Sequence, residues 1–306
     1  MAEAKFHLFS DSCCDLPREA AEAADIGIIS LYVAFNDGVY KRDYYDFGYE
    51  EFYRKMLDEP GNYPRTSLPS EQDYMDAWEP YVKEGIPVLS ISMTSKMSGS
   101  YNSARMAREE MLERYPDAVI EVVDSLALTI LQGMIVLEAV ALRDRGVSAE
   151  QAAEQLRAMH KLGRAYFTIW DLSYLIKGGR IGSLIKQAAI RLPIKPVILF
   201  RDGNILPCRI ARNRHKALKE LAHQAACYFI DNGFDPADYH LTVGYGLHEA
   251  DGLEVLEALE AELKEAGCEA KPGIIRIGTM VGAHNGPYLV GVAMLKKSEA
   301  GVSDLL

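Results

Sequence analysis

Short apolar runs alternate with longer amphipathic segments along the first half of the chain. The short runs predict strands at Lys5 to Ser10, Ile26 to Phe35, Pro87 to Ser92 and Val119 to Val123. Segments with apolar residues every three or four positions predict helices at Pro17 to Ala24, Tyr49 to Leu57, Ser70 to Lys83, Gly99 to Arg114 and Leu126 to Arg145. This alternation predicts a parallel α/β sheet, in which ligands bind where strands end and loops begin.

A connecting helix is predicted from Ser148 to Leu162, because Ser148 and Gln151 have the spacing of a capping box. Strands then follow at Ala165 to Trp170, His240 to Gly244, and as a final pair around Ile274 to Ile277 and Tyr288 to Met294. An Asp202-Gly203 turn predicts a hairpin of Val197 to Phe200 with Ile205 to Ile210. Helices are predicted near Ser183 to Arg191, His215 to Ile230 and Leu253 to Ala266. We therefore predict two α/β domains, residues 1–162 and 163–306.

Composition and charge narrow the classes of function. A chain of 306 residues with 49% apolar and 25% charged residues is typical of a globular protein of two domains. The net charge of -11 argues against a nucleic-acid partner, because a phosphate backbone would be repelled. Met1 to Phe9 lack the basic and long apolar regions of a signal peptide, so we expect a cytoplasmic protein.

Membrane insertion, disulfides and metal sites find no support in the sequence. The most apolar stretch, Leu126 to Leu142, is interrupted by polar residues and is too short to span a bilayer. The five cysteines have no C-x-x-C spacing, which predicts reduced thiols rather than a disulfide framework or a zinc site.

The segment from Thr94 to Tyr101 carries the strongest candidate chemistry. It follows a strong predicted strand and opens a long helix. Free N–H groups in a first helical turn bind anions, Gly99 lets the backbone approach closely, and Ser98 adds a hydroxyl donor. An ordinary N-cap is the alternative, but three hydroxyls around Gly99, including that of Ser100, exceed what a cap needs. We therefore predict a site for a carboxylate or a phosphate here.

Two other polar segments have structural explanations, and for the first of them the structural explanation is the better one. Asp11 to Pro17 follows the first strand and fits a capping turn that feeds Pro17 into a helix. In Arg65 to Ser70, Ser70 caps the next helix, which leaves Thr66 and Ser67 in the preceding loop free to bind a ligand.

Two glycine-rich segments lie in the second half. The glycines of Leu175 to Gly182 predict a tight loop, to which Lys177 and Arg180 give positive charge. Either these charges have a binding role, or the segment is simply a solvated basic loop. Gly282 to Pro287 sets His284 among glycines between two late strands. A lone histidine is more often a structural hydrogen-bonding residue than a catalyst, but the glycines indicate a ring held closely against something.

Motifs of nucleotide binding and acyl transfer are absent from the sequence. It contains no G-x-x-x-x-G-K-[ST] loop, no G-x-G-x-x-G after a strand, and no G-x-S-x-G nucleophile elbow.

Taken together, the polar segments resemble those of the DegV family of bacterial fatty acid binding proteins. The matching motifs are D-S-[ST]-[SA]-D-[LI] at Asp11 to Leu16, T-S-x-P-S at Thr66 to Ser70, S-G-[ST]-Y at Ser98 to Tyr101, a Val-Asp-Ser strand end at Val123 to Ser125, K-G-G-R-I at Lys177 to Ile181, and G-A-H-x-G-P at Gly282 to Pro287. Cys13 and Cys14 replace the usual small hydroxyl pair, and Ile176 occupies a position that is often basic.

The resemblance implies an N-terminal domain with a Rossmann-like, mostly parallel sheet and a C-terminal α/β domain with a mixed sheet. It implies a long-chain fatty acid with its acyl chain buried in the N-terminal domain and its head group near the interface. Thr66 and Ser98 would bind the carboxylate, and His284 would reach it from the other domain. The expected carboxylate site comprises Thr66, Ser67, Ser98, Gly99, Ser100 and His284.

The resemblance further implies a carrier without catalytic residues and without a cofactor besides the bound lipid. Some relatives present the lipid to an ATP-dependent fatty acid kinase subunit, for which Lys177 and Arg180 are the candidate docking residues. Two alternatives stay open. Ser98 with His284 suits a hydrolase or acyl transferase, and a helix N-terminus with serines also suits a small phosphate ester.

Overall fold

The computed structural model describes residues 6–46, 48–180 and 195–298. The predicted helix near Ser183 to Arg191 lies outside these residues, as do Ile181 and Gly182 of the loop before it. The described residues form two α/β domains, as predicted, each with its own large sheet. We refer to residues before 163 as the first domain and to the remainder as the second domain; the boundary itself stays a prediction.

A four-stranded parallel sheet of order β2-β1-β6-β7 forms the centre of the first domain. Its strands are β1 (His7–Asp11), β2 (Ile26–Ile29), β6 (Val88–Ser92) and β7 (Ile120–Asp124). The helices that accompany it are α1 (Arg18–Ala23), α3 (Glu71–Lys83), α4 (Ser100–Arg114), α5 (Thr129–Asp144) and α6 (Ala149–Met159). Strands β1 and β6 are buried over their whole length, as is typical of a parallel sheet covered on both faces.

A small antiparallel sheet of order β4-β3-β5 was not predicted. It comprises β3 (Tyr32–Ala34), β4 (Lys41–Arg42) and β5 (Arg65–Ser67), with α2 (Tyr49–Asp58) between β4 and β5. The single strand predicted from Ile26 to Phe35 is therefore wrong. The chain leaves the parallel sheet after Ile29, where the Ser30 hydroxyl donates to the Asp43 carbonyl at 2.9 Å. Thr66 and Ser67, predicted in a loop, lie in β5.

The second domain contains a six-stranded mixed sheet of order β10-β9-β8-β13-β11-β12. Only β11 and β12 pair in parallel. The strands are β8 (Gly163–Thr168), β9 (Lys195–Arg201), β10 (Asn204–Ala211), β11 (Tyr239–Tyr245), β12 (Gly273–Arg276) and β13 (Val290–Lys296). The described helices are α7 (Ser173–Lys177), α8 (Arg214–Ile230), α9 (Glu249–Glu265) and α10 (Thr279–Asn285).

Two details of the second domain differ from the prediction, and one agrees. The two late strands predicted around Ile274 to Ile277 and Tyr288 to Met294 are present as β12 and β13, but they flank β11 instead of pairing with each other. The segment between them contains α10, which places His284 in the last turn of a helix. The predicted hairpin turn is confirmed, since Asp202 and Gly203 have φ angles of 51° and 71°, as a two-residue hairpin of this kind requires.

Helix α5 lies at the centre of the molecule. All its residues from Thr129 to Arg143 are buried, which is typical of a helix packed on every side. It contacts β1 of the first domain and β8, β11 and β13 of the second. One apolar cluster contains Leu8 and Ile91 together with Ile198, Phe200 and Leu295. The two domains thus share a core. No helix in the described part of the chain is long and apolar enough to cross a membrane.

Candidate functional site

A cavity of about 240 Å3 lies between the two domains. Residues of the first domain that line it include Leu31, Leu68, Met93, Met97, Leu128 and Ile130, and residues of the second include Ala165, Phe167, Phe200, Ile277, Leu289 and Ala293. Met134 of α5 is buried in the core and does not line the cavity. The walls of this cavity therefore come from both domains, beyond the N-terminal domain in which the resemblance placed the acyl chain.

Polar residues are gathered at one end of this apolar cavity. Thr66, Ser67, Ser98, Gly99, Arg180 and His284 all line it. Ser67, Gly99 and Arg180 are exposed, while most of the apolar walls are buried, so the cavity opens to solvent here. The loops before α3 and α4 touch at this end, since a β-carbon on Gly99 would lie 3.1 Å from Cδ2 of Leu68.

Thr66 and His284 meet across the domain boundary. Oγ1 of Thr66 lies 2.9 Å from Nε2 of His284. Burial, and secondly the positive charge of Arg180, lower the pKa of His284 to about 4, so the imidazole is neutral at neutral pH. Its Nδ1 has no hydrogen-bond partner among the described residues. With the hydrogen on Nε2, the ring donates to Thr66 and leaves the threonine hydroxyl free to donate into the cavity.

Gly178, which directly follows α7, holds the His284 ring in place. The loop predicted from Leu175 to Gly182 is wrong over Leu175 to Lys177, which lie in α7. A β-carbon on Gly178 would lie 2.2 Å from Nδ1 of His284, so no larger residue fits without displacing the ring. Gly286, at a φ of 83°, packs against Tyr174 in the same way. The sequence indicated that neighbouring glycines surround His284. It did not indicate that the glycine in contact with the ring, Gly178, comes from another segment.

Ser98 and Ser100 have different positions although both were predicted to bind the anion. Gly99 precedes the first residue of α4 and makes no side-chain cap. Oγ of Ser98 accepts from the backbone N–H of Ser100 at 3.2 Å and lies 2.8 Å from Oγ of Ser100. Ser98 lines the cavity, whereas Ser100 is buried and does not. Ser100 therefore does not face the cavity but orients Ser98 through these two contacts.

The two predicted docking residues, Lys177 and Arg180, make different contacts. Nζ of Lys177 lies 3.7 Å from the ring centroid of Tyr63 in the first domain. The Arg180 guanidinium donates to the carbonyls of Gly178 at 2.6 Å and Met97 at 3.4 Å, which joins the second domain to the loop that carries Ser98. Arg180 lines the cavity, so its charge acts at the mouth as well as on the surface.

The cysteines near the site are structural. Cys13 and Cys14 are buried, and burial raises the pKa of Cys14 to about 12 and that of Cys13 well above its ordinary value. The thiols are therefore protonated, and Cys13 forms part of the cavity wall. The described residues contain no cluster of side chains that could hold a metal ion.

The profile of the DegV family, described as "Uncharacterised protein, DegV family", matches residues 5–297. The chain belongs to the DegV family. A DegV domain-containing protein from Clostridium perfringens (strain 13 / Type A) is 31% identical over 293 residues, which cover 95% of this chain and 97% of that protein.

Solved structures of DegV proteins share the fold. A stearic acid-binding protein from Eubacterium ventriosum ATCC 27560 has a TM-score of 0.88 at 36% identity, covering 95% of this chain and 98% of that chain. A fatty acid-binding DegV family protein from Thermus thermophilus has a TM-score of 0.81 at 26% identity, covering 95% and 99%. DegV from Bacillus subtilis, a fatty acid binding protein, has a TM-score of 0.78 at 26% identity, covering 96% and 100%.

Proposed function

We propose that this protein binds a long-chain fatty acid in the cavity between its domains and holds the carboxylate at the polar end. The observation that carries the proposal is the hydrogen bond between Thr66 and His284 at the mouth of a largely apolar cavity. The fatty acids bound by the DegV relatives from Eubacterium ventriosum, Thermus thermophilus and Bacillus subtilis support the same ligand class.

The apolar walls supply most of the binding energy. Burial of a methylene group contributes about 0.8 kcal/mol, so a long acyl chain gains on the order of 10 kcal/mol. This energy is large enough for the lipid to remain bound through purification.

The polar end provides the hydrogen-bond donors that a carboxylate needs. A carboxylate removed from water needs hydrogen-bond donors, and Thr66, Ser98 and the N-terminus of α4 provide neutral ones. Arg180 adds a positive charge from the second domain. Gly99 and the exposed Ser67 border the same opening. We assign carboxylate binding to Thr66, Ser67, Ser98, Gly99 and His284, with Ser100 orienting Ser98.

Extraction of the purified protein with organic solvent, followed by mass spectrometry, tests the proposal directly. We expect one free fatty acid for each protein chain. A delipidated protein that regains no fatty acid from solution would refute the proposal. Competition between palmitate and phosphate esters for the delipidated protein decides between a carboxylate site and the phosphate alternative.

The geometry disfavours a serine-dependent hydrolase. Ser98 hydrogen-bonds to Ser100, and His284 hydrogen-bonds to Thr66, so the described residues contain no Ser98–His284 pair. The remaining nitrogen of His284 faces no carboxylate in the described part of the chain, whereas a catalytic triad uses one to orient its base. We therefore propose a carrier without catalysis of its own. Labelling of Ser98 by an activated-serine probe would contradict this.

Presentation to a kinase is the second part of the proposal. A carboxylate at the open end can attack the γ-phosphate of ATP held by a separate subunit, which yields an acyl phosphate and ADP. The exposed Arg180 lines that end, the exposed Lys177 lies three residues before it in the chain, and these are the docking residues we propose. The test mixes the loaded protein with a bacterial fatty acid kinase subunit and ATP, and traps acyl phosphate with hydroxylamine. A Lys177→Glu variant should then bind lipid normally and give less product.

A further inference from the structure

Three carboxyl groups of the first domain are buried behind the cavity wall. Asp11, Asp15 and Asp43 are at most 2% exposed, and no hydrogen bond or ion pair within the described residues joins any of them to a basic side chain. Burial raises the pKa of Asp11 to about 6, of Asp15 to about 7 and of Asp43 to about 6. Buried acids without cationic partners are costly, and the contacts they make indicate why this chain has them.

Asp11 holds the segment that leads to Ser98. Its Oδ2 accepts from the backbone N–H of Met93 at 2.7 Å, and its Oδ1 accepts from Nε2 of Gln132 at 3.0 Å. Met93 lines the cavity and follows β6 directly. The first acid of the opening D-S-x-x-D turn is therefore tied to one side of the carboxylate site.

Asp43 and Tyr53 hold the segment that carries His284. The Thr279 hydroxyl donates to Oδ1 of Asp43, and the Tyr53 hydroxyl donates to the Ile277 carbonyl at 2.9 Å. Both contacts run from the first domain to the start of α10 in the second. A β-carbon on Gly282 would lie 2.5 Å from the Tyr53 oxygen, so the helix packs closely on this ring.

Asp15 also packs against the start of α10. A β-carbon on Gly278 would lie 2.3 Å from Oδ1 of Asp15, and Oδ2 of Asp15 accepts from the Thr129 hydroxyl. Asp15 and Thr129 have φ angles of 52° and 50°, in the left-handed region that a β-branched residue rarely adopts. Their mutual hydrogen bond holds both conformations, and Thr129 also lines the cavity.

We propose that Asp43, Thr279 and Tyr53 are positioning residues that set where His284 lies relative to Thr66 at the cavity mouth. The inference rests on the proposed function, since it gives these contacts a part in carboxylate binding. Helix α10 has seven residues, and His284 lies five residues after Thr279, about 7.5 Å along the axis. Nδ1 of His284 has no hydrogen-bond partner among the described residues, so besides Thr66 and the contact with Gly178 the ring depends on this short helix for its position.

A Thr279→Val variant of the delipidated full chain tests the proposal, since valine keeps the shape and removes the hydroxyl. We expect the affinity for cis-parinaric acid, a fluorescent fatty acid, to fall about 3- to 10-fold, and the imidazole NMR signals of His284 to shift. Thr279→Ser should restore both. The matched control is Thr168→Val, which removes a buried hydroxyl bonded to the Pro196 carbonyl at 2.8 Å without touching the cavity. It should change neither.

The proposal requires that Thr279→Val lowers the affinity by changing the position of His284. In a His284→Ala background, Thr279→Val should cause no further loss of affinity, whereas general damage to the fold would weaken binding by the same factor again. Tyr53→Phe provides an independent variant if Thr279→Val does not fold. Unshifted His284 signals in the folded variant, or an equal loss in the His284→Ala background, would overturn the proposal. If wild-type protein does not bind the probe, the proposed function fails, and the His284 signals still decide the positioning role.

Discussion

Replacing Asp15 by asparagine should change how the stability of the protein depends on pH. Asp15 is 2% exposed, and burial raises its pKa to about 7 from an ordinary value of 3.8. The hydrogen bond from Thr129 opposes this shift, and the nearby Asp43 and Asp11 add to it. In the unfolded chain these surroundings are lost, and the carboxyl returns to its ordinary pKa.

The direction of the pH dependence follows from which state, folded or unfolded, binds the Asp15 proton more tightly. Between pH 3.8 and about 7, the folded state keeps the Asp15 proton while the unfolded state releases it. The contribution of this group to stability is therefore fully present below pH 3.8 and is lost as the pH rises to about 7. The pKa difference corresponds to roughly 4 kcal/mol, an upper value because Asp11 and Asp43 titrate in the same range.

The assay is chemical denaturation of delipidated wild-type protein and Asp15→Asn between pH 4 and pH 8. We expect the free energy of unfolding of the wild type, relative to the variant, to fall by about 2 to 4 kcal/mol between pH 4 and pH 7. Asp58→Asn, at the exposed end of α2, is the control and should show no such trend. A wild-type-to-variant difference that does not change with pH would refute the reasoning, because Asp15 would then be ionised in both states.

Three further predictions concern the cavity mouth. Thr66→Ala or Ser98→Ala should weaken fatty acid binding by roughly 1 to 3 kcal/mol in a titration with delipidated protein, and unchanged affinity in both variants would exclude the site. Gly178→Ala should displace the His284 ring and weaken binding about tenfold or more, while Gly48→Ala, where a β-carbon meets no neighbour, should not. Arg180→Gln should raise the pKa of His284 in an NMR titration, because a positive charge that disfavours the imidazolium is removed; an unchanged pKa would contradict this.

The parts of the fold that the sequence predicted are those whose local pattern agrees with their final surroundings. Strands β1 and β6 are buried over their whole length and lie in the short segments Lys5 to Ser10 and Pro87 to Ser92 that were predicted as strands, and Ser70 caps α3 with the reciprocal Asp73 contact. The break between β2 and β3 has no such signal. It depends on the hydrogen bond from Ser30 to the Asp43 carbonyl, which is thirteen residues away and has no local signature.

The candidate site was only partly predictable for the same reason. Ser98 is marked by its position before a helix, whereas Thr66 and His284 depended on the family resemblance. Helix α10 was missed because Gly282 and Gly286 suggest a loop. Gly282 lies within this helix, and only a glycine fits there because the Tyr53 ring occupies the space that a side chain would need. The cavity walls from β8 and β13 include the small Ala165 and Ala293, which no sequence pattern assigns to a ligand.

The histidines of this protein provide an argument for the ligand that does not depend on any relative. Six of the seven have a carboxylate oxygen within 3.8 Å: His7 with Asp25, His160 with Asp202, His215 with Glu254, His223 with Glu262, His240 with Glu138, and His248 with Asp251. His284 has no such partner among the described residues and faces an apolar cavity beside a threonine hydroxyl. The carboxylate that its environment lacks is the group that a fatty acid would bring, and the neutral ring, by donating to Thr66, leaves the threonine hydroxyl free to donate to that carboxylate without the cost of a buried charge.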